Sequence, residues 1–393
     1  MYKIILLLDF AEEYSKCLLK GISKYSAEHG HWSFCRMPLY YRETLGAKGI
    51  LNWAKDWKAH GIIGQLYNEM ENDLYQSPIP VIAQDFKERF RFIPNITGQY
   101  RETGKLGAEY FLNKGYTQFA FYGFNNIVWS RERAEGFESA VNQAGFHVHY
   151  FEHKKARSTD IWYYKSNSLS KWLKSLPKPI ALMACDDNQG VHITEACKQN
   201  NIRVPQEVAV LGVDNDVMLC ELSDPPLSSI ELDIERAGYD TARAMDLMIT
   251  GRAKFYRDIL VPPLKVVTRN STDIYASQDD YVATVLDFIH KNIDQNLLVD
   301  HIVKEVPMSR RSLEKRFVEV TGLPIYKYIF KLRIEKLAQR LVSSEMSVFE
   351  IALEMGLSDS KNIARQFRQV MGCTPLEYRR RFVEKAKADK MFK

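Results

Sequence analysis

Two hydrophobic rhythms alternate along residues 1–270. Short apolar runs rich in Ile, Val and Leu occur at 4–8, 62–64, 81–83, 119–122, 180–184 and 208–213, the lengths expected of buried strands. Between them the apolar positions step by three and four. Residues 14–29 place Leu18, Ile22 and Tyr25 on one helical face, with Gly30 as the stop. Lys114-Gly115-Tyr116 and Ala144-Gly145-Phe146 repeat one junction, in which glycine ends a helix and a strand follows at once. Strands alternating with helices at this spacing imply parallel sheets covered on both faces, and two such sheets fit in the length.

The rhythm stops in a polar stretch, Thr268-Arg269-Asn270-Ser271-Thr272-Asp273 and then Ala276-Ser277-Gln278-Asp279-Asp280. The expected division is a two-lobed α/β domain at 1–270, a linker at 271–280 and an all-α domain at 281–393. The last domain contains an internal repeat. Leu313, Phe317, Val320, Gly322 and Tyr328 recur fifty residues later as Ile363, Phe367, Val370, Gly372 and Tyr378. In the second copy Ser347 and Glu350 form a capping box, and Val348, Ile351, Ala352 and Met355 keep one helical face. Gly356 turns the chain before the next apolar stripe. Each copy is a helix, a tight turn and a second helix, and the stretch 324–342 joins them. Two helix-turn-helix units in tandem are a far more specific signal than one.

Charge divides at the same place. The 393-residue chain carries a net +5, but 281–393 hold 21 Lys and Arg against 14 Asp and Glu, while 1–280 hold 33 against 35. A basic excess confined to the helical third is where DNA would be met. In each copy the second helix opens with polar and basic residues that its apolar stripe leaves facing outward: Ser309, Arg310, Arg311 and Lys315, then Ser360, Lys361, Asn362 and Arg365. Residues of this kind, near a helix N-terminus, reach base edges in the major groove.

Other classes of chemistry are poorly supported. No apolar run approaches the ~20 residues of a membrane span, and the start lacks the basic leader of a signal peptide. Six scattered cysteines without CxxC spacing suit a cytoplasmic protein with reduced thiols. His147, His149 and His153 fall on a strand and its exit, and no metal or cofactor is expected. Walker, GxGxxG, GxSxG and HExxH motifs are missing, so an enzyme acting on a small molecule is the weaker alternative.

Residues 297–380 resemble the tandem helix-turn-helix domain of the AraC/XylS regulators. The resemblance rests on Leu313-Glu314-Lys315-Arg316-Phe317, Arg333-Ile334-Glu335-Lys336-Leu337-Ala338, Ile351-Ala352-Leu353-Glu354-Met355-Gly356, and Gly372-Cys373-Thr374-Pro375 with Tyr378-Arg379. Residues 1–270 resemble the sugar-binding core of the LacI/GalR repressors, a periplasmic-binding-protein-like fold. That likeness is strongest in Val208-Ala209-Val210-Leu211-Gly212-Val213-Asp214-Asn215, in Ala184-Cys185-Asp186-Asp187 and in Arg133-Ala134-Glu135-Gly136-Phe137. The strand at residue 4 leaves no room before it for a LacI-type headpiece. A LacI-like core with a C-terminal AraC-type domain is the arrangement of the bacterial xylose-operon activators, which the chain resembles over nearly its whole length.

The resemblance implies a regulator that senses a monosaccharide, D-xylose first and another sugar as the alternative. It implies a homodimer on operator DNA and an outcome of activation through RNA polymerase. The implied sugar contacts are Asp85, Arg133, Asp214, and Asp186 or Asp187, with Trp129 offering a ring to the sugar's C–H face. Carboxylates accept from vicinal hydroxyls and an arginine fork donates to oxygens, so the residue types suit the ligand. Each carboxylate also follows an apolar strand, where open α/β sheets place ligands. Where the family often has Asp-Asn, this chain has Gln99-Tyr100.

Overall fold

The computed structural model describes residues 1–38, 40–151, 167–252, 257–273, 279–293, 297–344, 346–355 and 360–380. The chain forms two compact units, Met1–Asp273 and Ile274–Lys393.

Among the described residues, twelve strands build the first unit: β1 (Lys3–Leu7), β2 (Ser33–Arg36), β3 (Gly61–Gln65), β4 (Val81–Gln84), β5 (Asn95–Gly98), β6 (Phe119–Tyr122), β7 (Val148–Tyr150), β8 (Ile180–Ala184), β9 (Val208–Val213), β10 (Ser228–Leu232), β11 (Ile259–Val261) and β12 (Pro263–Val267). They form two six-stranded sheets, ordered β11-β5-β4-β3-β1-β2 and β12-β10-β9-β8-β6-β7. Helices cover them, as parallel pairing requires. β8 and β9 are buried along their whole lengths, which is why they read as unbroken apolar runs. One edge strand departs from the parallel order. β12 pairs antiparallel with β10, because it enters the sheet directly from β11 of the other lobe and not through a crossover helix.

Neither lobe is continuous in sequence. The first sheet takes β11 from after the second, and the helix Ile234–Ile249 packs on Glu13–His29 of the first lobe. The chain therefore passes between lobes near residues 99, 233 and 262. These passages bond to one another: the Gln99 N–H donates to the Val261 carbonyl at 2.9 Å and the Asp233 N–H to the Pro262 carbonyl at 3.0 Å. Three adjacent strands of backbone form the hinge.

In the second unit the long helix Ile325–Ser343 serves two cores. Its Ile325 and Ile329 join Leu313 and Phe317, while its Ile334, Leu337 and Leu341 join Ile351, Ile363 and Phe367. The repeat seen in sequence is physical. Tyr328 meets Phe317 edge-on at 5.4 Å, and Tyr378 meets Phe367 edge-on at 5.5 Å. The Ser347–Glu350 capping box is present with both of its bonds.

Candidate functional site

The cleft residues converge because their strands run the same way. Asp85 follows β4, Asp186 lies two residues past β8, and Asp214 follows β9 at once. The helix Val128–Gln143, after β6, supplies Arg133 and Trp129. That helix lies hard against Tyr100–Asn113 through facing glycines. A Cβ on Gly104 would stand 1.9 Å from the Arg133 carbonyl oxygen, and one on Gly136 2.0 Å from that of Arg101. Only glycine permits this approach, and it sets the height of Arg133.

Arg133 is the centre of the arrangement and is 3% exposed. Its Nη1 donates to the Cys185 carbonyl at 2.5 Å and its Nη2 to Asp214 Oδ1 at 3.2 Å. Its Nε is buried without a partner among the described residues, a donor left over where a ligand oxygen would satisfy it. The guanidinium lies 5.3 Å from the Trp129 ring and 5.5 Å from the Tyr100 ring, both favourable for a buried cation. Asp214 takes φ 101° and Asn215 φ 52°, in the region that Asp and Asn tolerate better than other side chains. Burial raises the Asp214 carboxyl above its ordinary range, and Arg133 opposes the shift.

The remaining carboxylates differ in what they can still do. Asp85 accepts from the hydroxyls of Thr97 and Tyr100, each at 2.6 Å. Burial nevertheless pushes it up to about 6. Asp186 is half-buried and caps the helix Asp187–Gln199 by accepting from the Gln189 N–H at 2.7 Å. It too is pushed up to about 6 by burial, with Asp214 adding to the shift. Asp187 is turned into the framework. It accepts from the Ser229 hydroxyl at 2.6 Å and the Asp216 N–H at 2.8 Å, with Cys220 Sγ at 3.6 Å. Of the two adjacent aspartates, Asp186 is the one whose charge is felt by Arg133.

Three cleft residues escaped the sequence reading. Tyr14, on the first helix, interacts with Asp85, Asp214 and Arg133, and burial raises its hydroxyl pKa far above the usual value. Glu12 reaches solvent at the mouth but is pushed up to about 7, first by partial burial and then by Asp9, Asp214 and Asp186. Both lie several residues beyond β1, and Tyr14 is no carboxylate, so the rule that selected Asp85 and Asp214 did not reach them. Tyr100, in place of the family's usual amide, turns out to hold Asp85.

On the helical unit, Ser309 caps the helix Arg310–Thr321 by accepting from the Ser312 N–H. Its hydroxyl is therefore engaged by the backbone at the start of that helix. Arg310 pairs with Asp300 at 2.9 Å, and Lys315 lies 3.9 Å from Glu319, both exposed. Arg311 and Arg365 are exposed. Ser360, Lys361 and Asn362 form the first turn of the helix Ser360–Met371, and their side chains lie outside the described residues, as do Gly356 and His153. Among the described residues no cluster of His, Cys, Asp and Glu is placed to hold a metal ion, and no helix is long and apolar enough to cross a membrane.

Comparison with known proteins supports both halves. A periplasmic binding protein-like domain matches residues 108–272 and a helix-turn-helix domain matches 302–381. The xylose operon regulatory protein of Escherichia coli K12 is 26% identical over 387 residues, 96% of this chain and 97% of the relative. The regulatory protein SoxS of Salmonella typhimurium is 30% identical over 105 residues, 27% of this chain and 98% of that protein. The solved structure of the xylose-binding transcription activator xylR is 25% identical with a TM-score of 0.60, covering 96% of this chain and 97% of that one. The chain is similar over nearly its whole length to xylose operon regulatory proteins and is a sugar-responsive, DNA-binding transcription regulator.

Proposed function

We propose that the chain senses D-xylose between its two lobes and activates pentose catabolic genes as a cytoplasmic homodimer, working through RNA polymerase. The sensor reaches Asp273, three residues into the stretch 271–280 expected as linker, and the DNA-binding domain is 281–393. Arg133 carries the reading: a buried guanidinium with a free Nε, tied to Asp214 and flanked by two rings, offers donors to a polyol. Asp85, Asp186 and Asp214 supply acceptors for its hydroxyls, Trp129 an apolar face, and Asp187 the scaffold behind them. The site is read as one that binds its ligand without turning it over.

Ser309, Arg310, Arg311 and Lys315 form one reading surface and Ser360, Lys361, Asn362 and Arg365 the other. The connecting helix has 19 residues. It therefore spans roughly 28 Å, near the ~34 Å repeat of DNA, so the two surfaces read successive major-groove segments. A thermal-shift panel of pentoses and hexoses tests the sensor. D-xylose is expected to raise the sensor's melting point by mass action, and a response to hexoses alone overturns the assignment.

A further inference from the structure

Arg269 ties the sugar loop to the end of the sensor unit. It lies past β12, in the short segment that closes the first unit at Asp273. Its Nη2 donates to the Asn215 side-chain oxygen at 3.0 Å and its Nη1 to the Leu227 carbonyl at 3.0 Å. Asn215 immediately follows Asp214, and its N–H donates to Ser229 Oγ at 3.0 Å. Ser229 in turn donates to Asp187, which holds the Asp216 N–H. The loop bearing Asp214 is thus rigidly framed, with Arg269 as its link to the segment beyond β12.

That segment is itself bonded throughout. The Arg269 N–H donates to Ser228 Oγ at 2.7 Å, the Ser271 N–H to the Pro226 carbonyl at 2.9 Å and the Ser271 hydroxyl to the Val210 carbonyl at 2.6 Å. Ser271 and Thr272 are fully buried. From the other side the Tyr110 hydroxyl stands 2.9 Å from Thr268 Oγ1 and 2.7 Å from Thr272 Oγ1. Tyr110 rides on the helix Tyr100–Asn113, whose first residue donates to Asp85. Two acids of the cleft therefore each reach residues 268–272 through a short bonded path.

We propose that the Asn215–Arg269 contact transmits sugar occupancy from the Asp214 loop into residues 269–273, the start of the path to the helical unit. This rests on the reading of the cleft as a xylose site. A ligand that engages Asp214 favours one position of residues 214–216, and a hydrogen-bonded segment attached to that loop follows it. Coupling of this kind is separable from affinity, because neither Asn215 nor Arg269 needs to touch the sugar.

The test uses the full chain with two variants. Asn215→Gly removes the amide while suiting the positive φ, and Arg269→Met keeps the aliphatic stem. Calorimetry measures D-xylose affinity, and hydrogen exchange follows peptides covering 214–230 and 264–273. In the wild type D-xylose changes exchange in both regions. Both variants are expected to bind D-xylose within about threefold of wild type and to show the change in 214–230 alone. A xylose-dependent change at 264–273 that survives in both variants overturns the transmission role. So does loss of binding by more than about thirtyfold in Arg269→Met, which would make the residue part of the pocket. Wild-type protein that takes up no D-xylose sinks the xylose reading in calorimetry alone, and the transmission falls with it.

Discussion

Arg89 and Glu132 face each other across the two lobes, joined by parallel bonds of 2.6 and 2.7 Å. The same arginine donates through Nε to Thr97 and stands 3.8 Å from Asp85. The neighbouring residues Arg131 and Glu88 pair at 2.9 Å, and one turn earlier the Val128 N–H meets the Phe86 and Lys87 carbonyls. The loop that begins at Asp85 is therefore fastened to the helix that carries Trp129 and Arg133. Whatever moves the lobes moves acceptors and donors of the cleft together.

Removing that pair should loosen the sensor measurably. Glu132→Gln keeps the shape and loses the charge-assisted fork, at a cost of about 1–2 kcal/mol for a partly exposed pair. Urea unfolding reads it directly, and an unchanged midpoint would show that the fork contributes nothing net.

Asp214→Asn is the cleaner probe of the sugar site, because asparagine tolerates the φ of 101° that alanine would strain. It leaves Arg133 without its carboxylate. Sugar affinity should fall by about 1.5–3 kcal/mol, tenfold or more, while sugar-free DNA affinity holds. Calorimetry that returns wild-type affinity removes Asp214 from the site.

The raised carboxyls make a pH prediction with a definite sign. Asp85 and Asp186 sit at about 6 and Glu12 at about 7, above their unfolded values of 3.8 and 4.5. The folded state thus holds protons that the unfolded chain has released. Each group's stability contribution is full below its unfolded pKa and is lost as the pH climbs through roughly 6 to 7. Asp186→Asn keeps the cap but cannot ionise, so its Tm should gain on wild type as the pH rises from about 4 to about 6 and hold level above that. A difference independent of pH would contradict the shift.

Arg310 and Arg311 should behave differently on DNA. Arg310 is already paired with Asp300, whereas Arg311 is exposed. If Arg311 reads guanine, Arg311→Ala relaxes base preference in one sub-site by about 1–3 kcal/mol. A phosphate contact would instead weaken all sequences alike and flatten the salt dependence. Binding to DNA selected in vitro, measured at several salt concentrations, separates the two.

Much of this was legible in the chain because burial writes itself as pattern. β8 and β9, buried on both faces, show as continuous apolar runs, and the pairs Leu313–Phe317 and Ile363–Phe367 mark both helical cores. Strands with little apolar signal were harder. Asn95–Gly98 is buried yet half polar, because Asn95 and Thr97 bond inside the lobe, and β2 is an edge strand with alternating exposure. In the cleft, strand ends located the acids, but adjacency could not separate Asp186 from Asp187. That depends on which way each side chain leaves the first turn of a helix. Partners distant in sequence, such as Arg269 with Asn215 or Arg89 with Glu132, carry no local signature at all.

Sugar held at Arg133 and Asp214 is proposed to alter DNA binding by the helical unit. This is tested most directly by fluorescence anisotropy of the full chain on DNA selected in vitro, titrated with D-xylose. The account predicts that D-xylose changes DNA affinity by about tenfold or more, with a midpoint matching the calorimetric Kd, and that Asp214→Asn abolishes the change while keeping sugar-free affinity. Saturating D-xylose that binds the protein yet leaves DNA affinity unmoved, or a full response in Asp214→Asn, would contradict it.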